Sequence, residues 1–311
     1  MKAVVVTRHG GPEVLELQDV PEPEAGEGEL LVDVDAIGVN FRDVYEREGV
    51  YGGEPPYVAG AEGAGTVVGT GERVAWKAAP GSYAERVVVP EREAVPSPEG
   101  VSSELAAAVI LQGTTAHYLA TSTYPVQPGD DVVVLAAAGG VGQLLTQIVK
   151  LRGGRVVAVT SSDEKARLAR EAGADEVLRY EGFAERVREL TGDGATVVYD
   201  GVGRTTFDES LASLHPRGWM VLYGAASGQP DPVPIPKIQG KSLCLTRPQL
   251  HHYTGTREEL LERTRDVFAW VREGKLKVEI GGRYPLEEAR RAQEDLESRR
   301  TTGKLILLPS R

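Results

Sequence analysis

The stretch Ala136-Ala137-Ala138-Gly139-Gly140-Val141-Gly142 carries the clearest chemistry in this sequence. A dinucleotide-binding turn needs glycine where the chain reverses, where a diphosphate approaches the backbone, and where helix meets strand. Gly139 and Gly142 fill the second and third places. Ala137 fills the first, which calls for a turn without a positive φ there. A diphosphate would sit over the following helix N-terminus, near Gly140 and Val141. In NAD enzymes the next strand ends in a carboxylate that holds the ribose hydroxyls. Here residues 156–159 run into Thr160-Ser161-Ser162, with Lys165 one turn on. Hydroxyls and an ammonium suit a 2'-phosphate, so the expected cofactor is NADPH. Asp163 and Glu164 stand close by, and either one turned inward would favour NADH instead.

Other chemistry is sparse. One cysteine, Cys244, permits neither an internal disulfide nor a cysteine-built structural zinc site. His251-His252 is expected to point its rings apart, which makes a poor metal pair. There is no Ser-His-Asp arrangement and no carboxylate pair. The chain holds a single asparagine, Asn40. Asn, Met and Cys are scarce, a thermophile tendency, and Arg greatly outnumbers Lys, which varies by family and which high-GC coding also produces.

The elements around the loop explain its place. Residues 132–136, 155–160, 176–179, 196–200 and 219–223 read as strands, several of them continuously apolar. Helical stretches at 142–151, 163–172, 183–190 and 206–214 alternate with them. Strands buried on both faces and separated by helices predict a parallel α/β sheet. The first third is different. Short β-branched runs at 4–7, 15–17, 30–37 and 63–68 are punctuated by Pro and Gly, and 30–36 nearly alternates as a half-buried antiparallel strand does. Ser102 or Ser103 opens a helix. A Pro-rich loop at 230–236 leads to a last strand near 243–246. Two helical stretches and a strand at 304–308 end the chain.

Composition sets outer bounds. At 311 residues the chain suggests about two domains. It is 41% apolar and 26% charged, which excludes a disordered or disulfide-knotted protein. A net charge of -11 disfavours a nucleic-acid partner. No apolar run is long enough to span a bilayer, and the chain opens on a strand-like run rather than a leader. A cytoplasmic setting is the expectation.

Several segments occur together in a telling order: Gly38-Val39-Asn40-Phe41-Arg42-Asp43, Gly60-Ala61-Glu62-Gly63-Ala64-Gly65, Gln112-Gly113-Thr114-Thr115-Ala116 and 136–142. Tyr199-Asp200-Gly201-Val202-Gly203, Thr246-Arg247-Pro248 and Glu297-Ser298-Arg299 extend the set. Over essentially its whole length the chain resembles the zinc-free NADPH:quinone oxidoreductases of the medium-chain dehydrogenase/reductase superfamily. The zinc branch carries Cys where this chain has Asn40, and Gly-His-Glu where it has Gly60-Ala61-Glu62. Without that thiolate and imidazole no catalytic zinc is expected, nor alcohol oxidation by that route.

The resemblance implies an α/β protein with a GroES-like β-rich catalytic domain (1–111), a Rossmann NADPH domain (112–247) and a C-terminal return to the catalytic domain (248–311). It implies that Asn40, Tyr45 and Tyr51 stand near the nicotinamide, with the two tyrosines walling a substrate pocket or bonding a quinone oxygen. Tyr118 would lie along the cofactor. Ser161, Lys165 and Tyr180 would surround the 2'-phosphate, and Arg204, Gly224 and Ala225 would border the adenosine side or the bridging phosphates. Thr246, Arg247, Pro248 and Arg299 would contact the nicotinamide side. The active site would be an interdomain cleft. A quinone is a strong electrophile, so its reduction asks the protein mainly for binding and orientation. An enone, alkenal or enoyl-thioester reductase on the same scaffold is the alternative; a non-enzymatic NADPH-binding or RNA-binding protein is the second. A homodimer through an apolar edge strand at 242–246 is also expected.

Overall fold

The computed structural model describes residues 1–298 and 301–310. The chain packs as two units. One holds Met1–Thr114, Gly255–Gly274 and the described residues from Val278 on; the other holds Thr115–Thr254 and Lys275–Lys277.

The first unit begins with strands β1 (Lys2–Val6), β2 (Leu15–Asp19) and β3 (Glu29–Val39), then a short helix α1 (Phe41–Arg47). Strands β4 (Tyr57–Val58), β5 (Glu62–Val67), β6 (Arg73–Trp76), β7 (Arg86–Pro90) and β8 (Val95–Pro96) follow, and helix α2 (Ser103–Tyr118) closes the segment. The Ser102 hydroxyl accepts the Leu105 N–H and so caps α2. Strand β3 is the spine of this unit. It pairs antiparallel with β5 over 32–38 and with β7 over 29–33. Its inward residues, Val32, Val34, Ile37 and Val39, pack with Trp76, Tyr83 and Val89 in one core.

The second unit is built of β9 (Asp131–Leu135), α3 (Gly140–Leu151), β10 (Arg155–Val159), α4 (Asp163–Glu171), β11 (Glu176–Leu178), α5 (Phe183–Thr191), β12 (Ala195–Asp200), α6 (Phe207–Ser213), β13 (Leu214–Leu222), α7 (Pro236–Gln239) and β14 (Cys244–Thr246). The strand order is β11-β10-β9-β12-β13-β14 and every pairing is parallel. Val133, Leu135, Val157, Val159, Val198 and Met220 form its core. The apolar runs are strands because both of their faces meet helices.

The last strand is shorter than expected. Ser242 takes a left-handed backbone with φ 52, and Leu243 packs against the core instead of lining the edge. β14 therefore starts at Cys244.

The tail returns to the first unit as α8 (Arg257–Arg272), β15 (Ile280–Pro285), α9 (Ala289–Glu297) and β16 (Lys304–Leu308). β16 lies antiparallel on β3, with Leu305 opposite Val39. No described helix is long and apolar enough to cross a membrane.

Candidate functional site

In the parallel sheet the chain order reverses between β9 and β12, and open α/β sheets bind ligands beyond the carboxyl ends of strands at such a switch point. The glycine-rich loop leaves the carboxyl end of β9 there. Gly139 caps α3 with backbone alone, φ -75 and ψ 168, and offers no side chain to the first turn. The first N–H groups of a helix lack internal partners, so those of Gly140, Val141 and Gly142 are available to an anion. At Gly142 a Cβ would strike the Ala136 carbonyl and come within 2.8 Å of the Ala137 Cα, so only glycine fits. Ala137 has no positive φ, as the sequence requires of it; the left-handed residue of the turn is Ala136, one position earlier, with φ 50.

Tyr180 explains how Ala136 holds that conformation. Its phenol oxygen accepts the Ala136 N–H at 3.1 Å, tying the segment that follows β11 to the loop. Ser161 is exposed just beyond β10. Ser162 caps α4 by accepting the Lys165 N–H at 3.3 Å, which places Lys165 in the first turn beside Ser161. Asp163 does not turn inward. It is fully exposed and ion-paired to Arg179, and Glu164 is exposed as well. Arg179, immediately before Tyr180, is a cation at this corner that the sequence reading missed. Its place at the end of a short strand was the available signal.

The turn after β12 is fixed by Asp200, which is wholly buried. Its carboxylate accepts N–H bonds from Val202 (2.7 Å) and Gly203 (3.0 Å), and hydroxyl bonds from Thr206 (2.7 Å) and Ser210 (2.9 Å). Arg204 is exposed and donates its Nε to the Gln229 carbonyl at 3.0 Å. Gly224 and Ala225 follow β13, where the Tyr223 and Gly224 N–H groups bond the Asp200 carbonyl. Thr246 ends β14, Pro248 is buried, and Arg247 reaches the Gly224 carbonyl at 3.4 Å. These residues thus gather along one edge of the second unit. Tyr118 is only 2% exposed and stacks on Tyr253 at 4.4 Å, and burial pushes its phenol well above the ordinary range. Arg299 lies outside the described residues.

In the first unit Tyr45 and Tyr51 meet edge to face at 5.2 Å, with Tyr51 exposed. Asn40, at the end of β3, is 5% exposed. Its Nδ2 donates to Glu62 Oε2 at 2.7 Å and to the Gly38 carbonyl at 3.3 Å. Its Oδ1 accepts from Lys304 Nζ at 2.7 Å and from Gln112 Nε2 at 3.5 Å. Sheet register makes this cluster: β5 and β16 flank β3, and they bring Glu62 and Lys304 to either side of the strand end. These donors do not fit a zinc ion. Asn40 offers a neutral amide, Ala61 a methyl group, and Glu62 a carboxylate already 2.5 Å from the Lys304 ammonium. The His251 and His252 rings lie 4.0 Å apart rather than pointing away, because a tight turn at Leu250–His252 brings them together. Among the described residues no group of three or more His, Cys, Asp or Glu side chains is arranged to hold a metal.

Beside Asn40, Asp43 is buried in the first turn of α1. Its Oδ2 accepts from the Tyr83 hydroxyl (2.8 Å) and the Asn40 N–H (2.9 Å), while Oδ1 is buried without a partner. Burial raises its carboxyl to about 7 despite those two bonds.

Comparisons with known proteins agree with this layout. The family described as alcohol dehydrogenase GroES-like domain matches residues 26–99, and the zinc-binding dehydrogenase family matches 140–266. A quinone oxidoreductase of Pseudomonas aeruginosa is 42% identical, with 99% of each chain covered. A mycobacterial protein solved with NADPH superposes with a TM-score of 0.97 at 49% identity, over 99% of this chain and 100% of that one. The quinone oxidoreductase of Escherichia coli, also solved with NADPH, gives 0.97 at 37% identity, over 99% and 100%. With its second-unit sheet, its GroES-like first unit and full-length identity at this level, the chain belongs to the quinone oxidoreductase family of the medium-chain dehydrogenase/reductase superfamily.

Proposed function

We propose that this protein is an NADPH-dependent quinone oxidoreductase. The observation that carries the cofactor reading is the corner formed by the glycine-rich loop and the end of β10. The uncapped N-terminus of α3 suits a diphosphate. Ser161, Lys165, Arg179 and Tyr180 present hydroxyls and cations, and the nearby Asp163 is held outward by Arg179. A 2'-phosphate is favoured there and a bare ribose gains no carboxylate partner. Arg204, Gly224 and Ala225 border the adenosine side or the bridging phosphates, and Thr246, Arg247 and Pro248 the nicotinamide side. When bound, NADPH supplies the reducing equivalents, by hydride or electron transfer. The Tyr45–Tyr51 pair offers an aromatic face against which a planar quinone stacks. The chain's task is to bind and orient, and the hydroquinone oxygens take protons from solvent.

The free edge of β14 supports a homodimer through strand pairing, with Leu245 37% exposed on it. Light scattering should return about twice the chain mass at micromolar concentration. One chain mass would refute the dimer. The scarcity of Asn, Met and Cys supports a heat-adapted chain, and the sequence a cytoplasmic setting.

Initial rates of NADPH oxidation against quinones, enals and enoyl-thioesters test the substrate class. The highest kcat/KM should fall on quinones. A preference for the activated alkenes would make it an alkene reductase, and no turnover with any of them would leave a cofactor-binding protein.

A further inference from the structure

The cluster around Asn40 has a charge balance of its own. Lys304 and Glu62 are sealed from solvent, 2% and 0% exposed at their side chains, with Nζ and Oε2 2.5 Å apart. A buried ammonium is costly unless its N–H groups find acceptors and its charge a counter-ion. Asn40 Oδ1 and Glu62 supply both. Asn40 lies between opposite charges, its amide oxygen toward the ammonium and its amide nitrogen toward the carboxylate. Turning the amide over would aim N–H groups at the ammonium and oxygen at the carboxylate. One orientation is therefore imposed by the charges. The zinc branch carries a cysteine at position 40 and a histidine at position 61, donors that suit a metal ion. Here a neutral amide and a methyl group stand at those positions, and the one negative charge that remains, on Glu62, is balanced by one ammonium. The fit is steric as well: a Cβ on Gly38 would strike the Glu62 carboxylate, so the strand end closes directly on it.

We propose that Lys304 is the resident cation of this site, filling the charge role that the zinc branch gives to its metal, and that it is the positioning residue for the Asn40 carboxamide. The second part has a direct probe, because the chain holds one asparagine. Protein grown with heavy-nitrogen asparagine yields a single side-chain amide pair by NMR. In the wild type the two amide protons should be strongly inequivalent and slow to exchange with solvent. Lys304→Arg keeps a cation and should keep both properties.

Lys304→Met alone leaves Glu62 buried and unpaired, so the informative variant is Lys304→Met with Glu62→Gln, which stays neutral. Measured against Glu62→Gln alone, which keeps Lys304 and carries the same change at the carboxylate, the carboxamide of the double variant should exchange about 10- to 150-fold faster, the factor that corresponds to losing one hydrogen bond to a charged group. Protection in the folded double variant equal to that of Glu62→Gln would overturn the positioning role. Calorimetry of the wild type with zinc chloride alone tests the first part without any variant. No uptake is expected at micromolar concentration, since the ammonium repels a divalent ion at the remaining donors. Stoichiometric uptake would overturn it. Neither arm uses NADPH or a quinone, so failure here is distinct from failure of the quinone-reductase reading.

Discussion

Asp43 makes the folded state respond to pH in a way that can be isolated by one substitution. Its carboxyl is raised from 3.8 to about 7, first by burial, with the neighbouring Glu46 adding to it, while Tyr83, the Asn40 N–H and Arg42 pull it down. The folded carboxyl thus keeps its proton over a range where the unfolded chain has lost it. In that window the folded state binds more protons, so stability falls as pH rises from about 4 to about 7 and levels off above. The distance from 3.8 to about 7 amounts to about 4 kcal/mol between the two limits. Asp43→Asn retains an acceptor for Tyr83 and Asn40 but cannot titrate. Its stability relative to wild type should therefore improve by about 4 kcal/mol between pH values of about 4 and about 8. Urea denaturation of both proteins across that range measures the difference directly, and background titrations cancel in it. A difference constant to within about 1 kcal/mol would show that Asp43 is already ionised in the fold and would refute the reasoning.

Three further outcomes are expected. Lys165→Ala should weaken NADPH by about 10- to 150-fold, toward the lower end because the side chain is part-exposed, and leave NADH nearly unchanged. Titration of both cofactors checks this, and equal weakening would remove Lys165 from the 2'-phosphate. Tyr180→Phe takes the acceptor from the Ala136 N–H and should cost about 1 kcal/mol of stability together with NADPH affinity; unchanged unfolding and binding would mean that the phenol does not hold the loop. Asp200→Ala strands four donors and should cost about 3 kcal/mol or more, seen as a large fall in the urea midpoint.

The parallel sheet was legible in the sequence because strands such as Val133–Leu135 and Val156–Val159 are buried on both faces and so read as unbroken apolar runs. Its loop was legible because glycine is forced at Gly142 by contact with the Ala136 carbonyl. Much of the first unit was not. α1 is only seven residues long and mixes Phe41, Asp43, Tyr45 and Arg47. β15 reads Ile-Gly-Gly-Arg-Tyr-Pro, with neither alternation nor a β-branched run. The Asn40 cluster joins residues up to 264 positions apart. Lys304 at the start of an apolar strand looks like any solvent-facing lysine, and only the register of β16 on β3 buries it. Asp43, Arg47 and Tyr83 were hidden for the same reason: their partners come from distant segments, as when Arg47 donates to Gln293 at 2.7 Å.

The central claim is that this chain passes reducing equivalents from NADPH to a quinone without a metal, and a single turnover tests it most directly. Protein loaded with one equivalent of NADPH in the presence of a chelator is mixed anaerobically with a naphthoquinone, and the nicotinamide absorbance is followed. The account predicts decay well above the protein-free rate, with one hydroquinone formed for each NADPH consumed, and a slower reaction from NADH. Decay no faster than without protein, or decay abolished by the chelator, would contradict it.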